Sequence, residues 1–172
     1  MSEPFLPQYL VDHKGISLQI TGLIFGAQSF ISIFISMLSG KYMHHIEKRT
    51  LMIVSIFISA IGTLLFPSIE YFQDSNIIIG IAISCRFLEG IGNSLAMSAM
   101  YAMIPVIYPN SQETKIGQME ASCAIGNIFS PVIGEFFYLY GGIKLPYIVV
   151  FAILVLSIFP LRSLPNLRDS GV

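Results

Sequence analysis

Residues 85–94, CRFLEGIGNS, hold an arginine, a glutamate and an asparagine inside a run otherwise suited to lipid. Arg86 and Glu89 are spaced i, i+3, and Asn93 follows one turn later, so a helix would put all three on one face. Gly90 leaves room beside them. An ionised side chain at mid-membrane depth costs ~2.5–3.5 kcal/mol on insertion scales, so such groups pair with one another or line a water-filled path. Two uses fit the spacing: an ion pair that fixes helix packing, or a cavity group that senses protons or substrate charge. The second is the working expectation.

Other polar positions have plainer readings. Glu120 and Glu135 each lie near an end of an apolar segment, where reaching back to the headgroups accounts for them. His44 and His45 lack acidic or cysteine company, so no metal site is expected. Cys85 and Cys123 sit in apolar segments and are read as small, reduced core residues. No nucleophile stands with a base, and the glycines of EGIGNS follow no strand, so neither an enzyme nor a dinucleotide site is expected. No cofactor is expected either.

The elements that must position Arg86 and Glu89 follow from composition. The 172 residues are 54% hydrophobic and 11% charged, against ~45–50% and ~25% in soluble domains. Charge is absent between Lys14 and Lys41, Arg49 and Glu70, Glu89 and Glu113, and Lys144 and Arg162. A spanning helix needs about 20 such residues. Four windows of this kind leave too little surface for a water-soluble globule. The reading is an all-α, multi-pass bundle of five transmembrane helices at about 17–39, 50–68, 77–106, 116–140 and 145–161. Pro105 and Pro109 are expected to end the third. Residues 1–165 would form one partial half-domain and 166–172 a short cytoplasmic tail.

Lys41, Lys48, Arg49, Lys115, Arg162 and Arg168 fall on alternate connections, while the opposite ones hold Lys14 and Lys144. The positive-inside rule then makes the N-terminus luminal or extracellular and the C-terminus cytoplasmic. The net charge of −1 says nothing about nucleic acid, but the sequence has no basic stripe of the kind a phosphate backbone needs, so no nucleic-acid partner is expected; membrane lipid is the expected surrounding. Small residues let membrane helices approach, and two ladders offer this: Ser122, Gly126, Ser130, Gly134 in the fourth span, and Gly22, Gly26, Ser32, Ser36, Gly40 in the first. Pro131 should kink the fourth span on that small-residue face.

Three motifs carry a family resemblance. RFLEGIGNS matches Arg-x-x-(Gln or Glu)-Gly-x-Gly through Arg86, Glu89, Gly90 and Gly92. GNIFSPVIGE resembles the antiporter motif Gly-x-x-x-Gly-Pro-x-x-Gly-Gly through Gly126, Pro131 and Gly134, with Ser130 and Glu135 replacing glycines. The stretch 40–49 stands where the cytoplasmic gating motif Gly-x-x-x-Asp-Arg-x-Gly-Arg-Arg belongs. Gly40, Lys48 and Arg49 fit it, whereas His44 replaces the aspartate and Glu47 a glycine. Over nearly the whole chain the order of segments resembles the N-terminal half of a major facilitator superfamily transporter, within it the vesicular amine transporter group and its polyamine-type branch.

The resemblance implies a proton-coupled exchanger of small organic cations, amines or polyamines, in a vesicular, endolysosomal or plasma membrane. Arg86, Glu89 and Asn93 would face its cavity, with Glu89 as proton carrier and Arg86 tuning it. In that fold, substrate binds near the midplane between two halves built of inverted three-helix repeats. EPFLPQY at 3–9 resembles the luminal end of the family's first helix. The expectation is therefore that additional transmembrane helices are needed and that the chain alone does not transport. The rival expectation is a non-transporting structural or accessory membrane subunit, or a transporter gene fragment.

Overall fold

A computed structural model describes residues 5–12, 14–42 and 46–162. A short helix α1 (Phe5–Asp12) precedes five long ones: α2 (Leu18–Tyr42), α3 (Lys48–Leu65), α4 (Ser75–Ile107), α5 (Gln112–Gly141) and α6 (Lys144–Arg162). A 3₁₀ turn, Phe66–Tyr71, links α3 to α4. The described residues contain no strand. All five long helices have the length and apolar character to cross a membrane. Large apolar side chains stand exposed along them, among them Met37, Ile128, Val132 and Leu139; water would penalise such a surface, whereas lipid is its natural solvent.

α4 is the hub. With 33 residues it extends roughly 50 Å, longer than the ~30 Å hydrocarbon core. It packs along α3 on one side and α2 on the other, and α6 closes against α3. α2 lies parallel to α4, since Ser32 meets Gly90 and Ser39 meets Ser98. α3 runs antiparallel to it, with Ser55 and Ser59 against Gly92 and Thr63 against Glu89.

Several boundaries differ from the sequence reading. α4 ends at Ile107, between Pro105 and Pro109 as expected, and starts two residues earlier than expected, at Ser75. A proline in the last turn removes one backbone donor, and the Tyr108 N–H still reaches the Ile104 carbonyl at 2.8 Å. Asp74 caps the other end of α4, accepting from the Asn76 N–H at 2.9 Å. α3 stops at Leu65 rather than 68, because Pro67 starts the tighter turn. α5 begins four residues earlier than expected and runs through Pro131 as one helix.

The buried apolar core lies toward the end of the bundle that holds this turn. Leu10 of α1, Ile24 of α2, Phe66 and Ile69 of the turn, Ile78 of α4 and Tyr147 of α6 meet there. Surface contacts tie the same end together. Lys14 Nζ donates to the Glu70 and Phe72 carbonyls at 3.2 and 2.7 Å. Lys144 Nζ pairs with Glu70 Oε2 at 3.2 Å. Lys14 and Lys144, from two separate connections, thus converge on Glu70 of the Phe66–Tyr71 turn.

Candidate functional site

Arg86 is 1% exposed, one of the largest fully buried side chains among the described residues. Its Nη1 donates to Glu89 Oε2 at 2.7 Å and to Gln28 Oε1 at 3.4 Å. The guanidinium is close to two rings, with its central carbon 4.7 Å from the Phe25 centroid and 4.9 Å from that of Phe66. Phe66 in turn stacks on Tyr147, 5.0 Å apart and 7° from parallel. The carboxylate contrasts with its partner: the Glu89 side chain is 13% exposed. Its second oxygen, Oε1, lies 3.5 Å from the Thr63 hydroxyl.

Glu89 opens onto a cavity of about 150 Å³ lined by Gln28, Ser59, Thr63, Asn93, Val150 and Leu154. Of the three sequence candidates on this face, Glu89 and Asn93 line the cavity and Arg86 sits behind it. Four helices contribute. Gln28, Ser59 and Thr63 escaped the sequence reading, although Ser55, Ser59 and Thr63 repeat every fourth residue. The cavity offers carbonyl, hydroxyl and carboxylate oxygens with an apolar wall from α6, a lining suited to a small cation or to protons moving onto Glu89.

The motif glycines set this geometry by allowing close approach on both flanks of α4. A Cβ at Gly90 would come within 2.7 Å of the Gln28 carbonyl on α2. A Cβ at Gly92 would come within 2.6 Å of the Ser55 carbonyl and 2.9 Å of the Ser59 nitrogen on α3, besides meeting the Ser59 hydroxyl. Gly62 returns the contact from α3, 3.1 Å from the Cys85 carbonyl by the same measure. Serines fill the gaps: Ser94 donates to the Ser32 carbonyl at 3.1 Å, and Ser39 and Ser98 share a hydrogen bond of 2.8 Å. Backbones this close fix where Gln28 and Thr63 stand relative to Glu89.

The other sequence candidates lie apart. Gly126, Ser130 and Gly134 line a groove of about 240 Å³ between α5 and α6, facing Pro146, Val149, Val150 and Ile153. A Cβ at Gly126 would have nothing within 4 Å, and the same holds for Gly22, Gly26 and Gly40. The expectation that these ladders pack helices closely therefore needs correction at those four positions. α5 packs mainly against α6, with smaller contacts to α4 and α1, and at Gly126 it meets no tight neighbour. Pro131 is half-buried beside that groove. Of the gating stretch, Gly40 belongs to the end of α2, and Lys48 and Arg49 form the first turn of α3 rather than a loop, Lys48 being buried. His44 and His45 lie outside the described residues. Glu120 accepts a 2.7 Å hydrogen bond from the Tyr101 hydroxyl, joining α5 to α4.

Comparison with known proteins adds an independent line. The family model described as Major Facilitator Superfamily matches residues 1–170. The human protein named MFS-type transporter SLC18B1 is 29% identical over 165 residues, covering 95% of this chain and 36% of its own length. The mouse protein of that name is 28% identical over 172 residues, covering 98% and 37%. Human vesicular acetylcholine transporter is 22% identical over 149 residues, covering 86% and 26%. The chain thus spans about a third of the length of the curated relatives it matches. No solved structure matches it significantly.

Proposed function

The chain belongs to the Major Facilitator Superfamily, with relatives in the vesicular amine transporter group, and from that premise we propose that it forms the cation-handling side of a proton-coupled exchanger for organic cations, amines or polyamines. One observation carries the reading: a carboxylate open to a polar cavity at the heart of a membrane bundle, bonded to an arginine sealed from it. Such a carboxylate can hold one positive charge at a time. It can release its arginine and take a proton, or exchange that proton for an ammonium. Asn93, Gln28, Ser59 and Thr63 would orient the cation by their oxygens. Acetylcholine, in the name of one relative, is a cation of this class.

The remaining residues take supporting roles in the proposal. Gly90 and Gly92 hold the cavity together. Gly126, Ser130, Pro131 and Gly134 form a face for additional transmembrane helices, on which transport would depend. Gly40, Lys48 and Arg49 would gate at the end of the bundle opposite Lys14 and Lys144. With the positive-inside rule, that basic end is cytoplasmic and the α1 end luminal or extracellular, in a vesicular, endolysosomal or plasma membrane.

The test is uptake of a labelled polyamine or monoamine, driven by an imposed pH gradient, into vesicles that hold the chain together with the additional transmembrane helices it requires. Proton-driven uptake abolished by Arg86→Ala and Glu89→Gln is the expected result. The open face of α5 favours a second reading, an accessory subunit that docks against other membrane helices. Absence of uptake, with the chain copurifying in a larger complex, would establish that alternative and sink the transport reading.

A further inference from the structure

The reading given above covers organic cations of two kinds, those whose nitrogen carries N–H bonds and those whose nitrogen is fully alkylated. The two kinds need different walls. A quaternary ammonium has no proton to donate and is recognised by the faces of aromatic rings. A protonated primary amine carries three N–H donors and binds where oxygens converge.

The cavity beside Glu89 has walls of the second kind. Among the described residues, no aromatic ring lines it. Phe25 and Phe66 lie against Arg86 instead, 4.7 and 4.9 Å from its guanidinium carbon, and neither belongs to the lining. The oxygens that do line it are in a particular state. Thr63 Oγ1 has one proton and donates it to the Ser59 carbonyl at 2.9 Å, so it shows Glu89 Oε1, 3.5 Å away, its lone pairs. Glu89 Oε2 is the oxygen bonded to Arg86 at 2.7 Å, which leaves Oε1 on the Thr63 side. Two acceptors from α3 and α4 thus face each other at a distance that one nitrogen can bridge, and they call for a donor from outside. The Ser59 hydroxyl and the Asn93 amide add further oxygens, whereas Gln28 shares its own with Arg86.

We propose that Ser59, Thr63 and Asn93 are the specificity-determining residues of this cavity, accepting with Glu89 Oε1 the N–H bonds of a primary ammonium group and discriminating against a quaternary one. The proposal rests on the cation-handling reading given above and narrows its substrate class. At about 150 Å³ the cavity is smaller than the roughly 300–1,000 Å³ of pockets that enclose a whole organic ligand. It therefore takes the ammonium end, and the remainder of the molecule extends out of it. Methyl groups on the nitrogen would hold every one of these oxygens away from it. Oxygens that give up water without gaining a donor weaken binding.

The experiment measures equilibrium binding of labelled butylamine, and its displacement by butylamines methylated once, twice and three times on nitrogen. The sample is the full chain assembled with its additional transmembrane helices in lipid nanodiscs. The probes share one positive charge at neutral pH and the same apolar tail, and differ in the number of N–H bonds. Affinity should fall stepwise with methylation, by at least about tenfold over the series. Thr63→Val keeps the shape and removes the acceptor; it should weaken butylamine by about tenfold and spare the trimethyl compound, so that the preference collapses. Thr63→Ser, which keeps the oxygen, should retain most of the preference. Asn93→Leu, at an exposed position, supplies the same comparison should Thr63→Val fail to fold.

Equal affinity across the series, or a Thr63→Val loss shared by butylamine and the trimethyl compound, would overturn the proposal. Binding of none of the probes would overturn the cation-handling reading with it. Uptake under a pH gradient separates the two. Glu89-dependent, proton-driven uptake that ignores methylation removes the selectivity and leaves the exchanger. Selective binding without proton-driven uptake keeps the selectivity and removes the exchanger.

Discussion

The two flanks of α4 and the exposed face of α5 use the same building material to opposite effect. Both carry glycine and serine at helical spacing. On α4, Gly90 and Gly92 are wedged against the backbones of α2 and α3. On α5, Gly126 faces open space, and its ladder lines a groove. A small residue therefore permits close approach without supplying it; the approach also needs a helix whose own glycines and serines fit. α4 has such neighbours in Gly62, Ser32, Ser55 and Ser59. The consequence for chemistry is direct, since ionised groups in lipid are tolerable only where packing is tight enough to pair them, and the Arg86–Glu89 pair sits on the tight side.

That contrast can be broken most forcefully at the ion pair. Glu89→Leu takes the carboxylate away from the buried Arg86 and should cost about 3–5 kcal/mol, read as loss of folded chain in detergent or denaturant titration. On α5, Glu120→Leu removes one exposed hydrogen bond from Tyr101 and should barely move the same curve. Next come the glycines: Gly92→Ala forces a methyl group against the α3 backbone and should destabilise by about 1–3 kcal/mol, with Gly90→Ala close behind. The smallest effect has the opposite sign. Gly126→Ala has room for its methyl group and improves helix propensity, so a gain of about 0.5–1 kcal/mol is expected. A loss at Gly126 as large as that at Gly92 would erase the distinction between the two regions.

The parts of this arrangement visible in the sequence are those with a local signature. Charge-free windows expose the five spans, because lipid demands about 20 apolar residues from any helix that crosses it. The i, i+3 spacing of Arg86 and Glu89 exposes their pair, because both ends lie on one helix. Phe25, Gln28 and Phe66 stay hidden for the complementary reason. Each reaches the site from another element, and nothing within its own span says which face meets α4. The Ser55, Ser59, Thr63 repeat is readable, being the same kind of ladder seen in α2 and α5. Gly126 is the converse case, where the pattern states a capacity for contact and the fold makes no contact there.

The turn from Phe66 to Tyr71 touches both kinds of electrostatics in the molecule. One of its buried residues, Phe66, lies against Arg86, while one of its exposed residues, Glu70, holds Lys144, the two side chains being 43% and 42% exposed. Dissolved ions screen the second interaction strongly and the first hardly at all. At ~0.15 M ionic strength the Debye length is already about 8 Å, and at 1 M about 3 Å. Ionic strength on one side of the membrane therefore acts on the outer fastening of this turn, while the guanidinium beneath it keeps its partners.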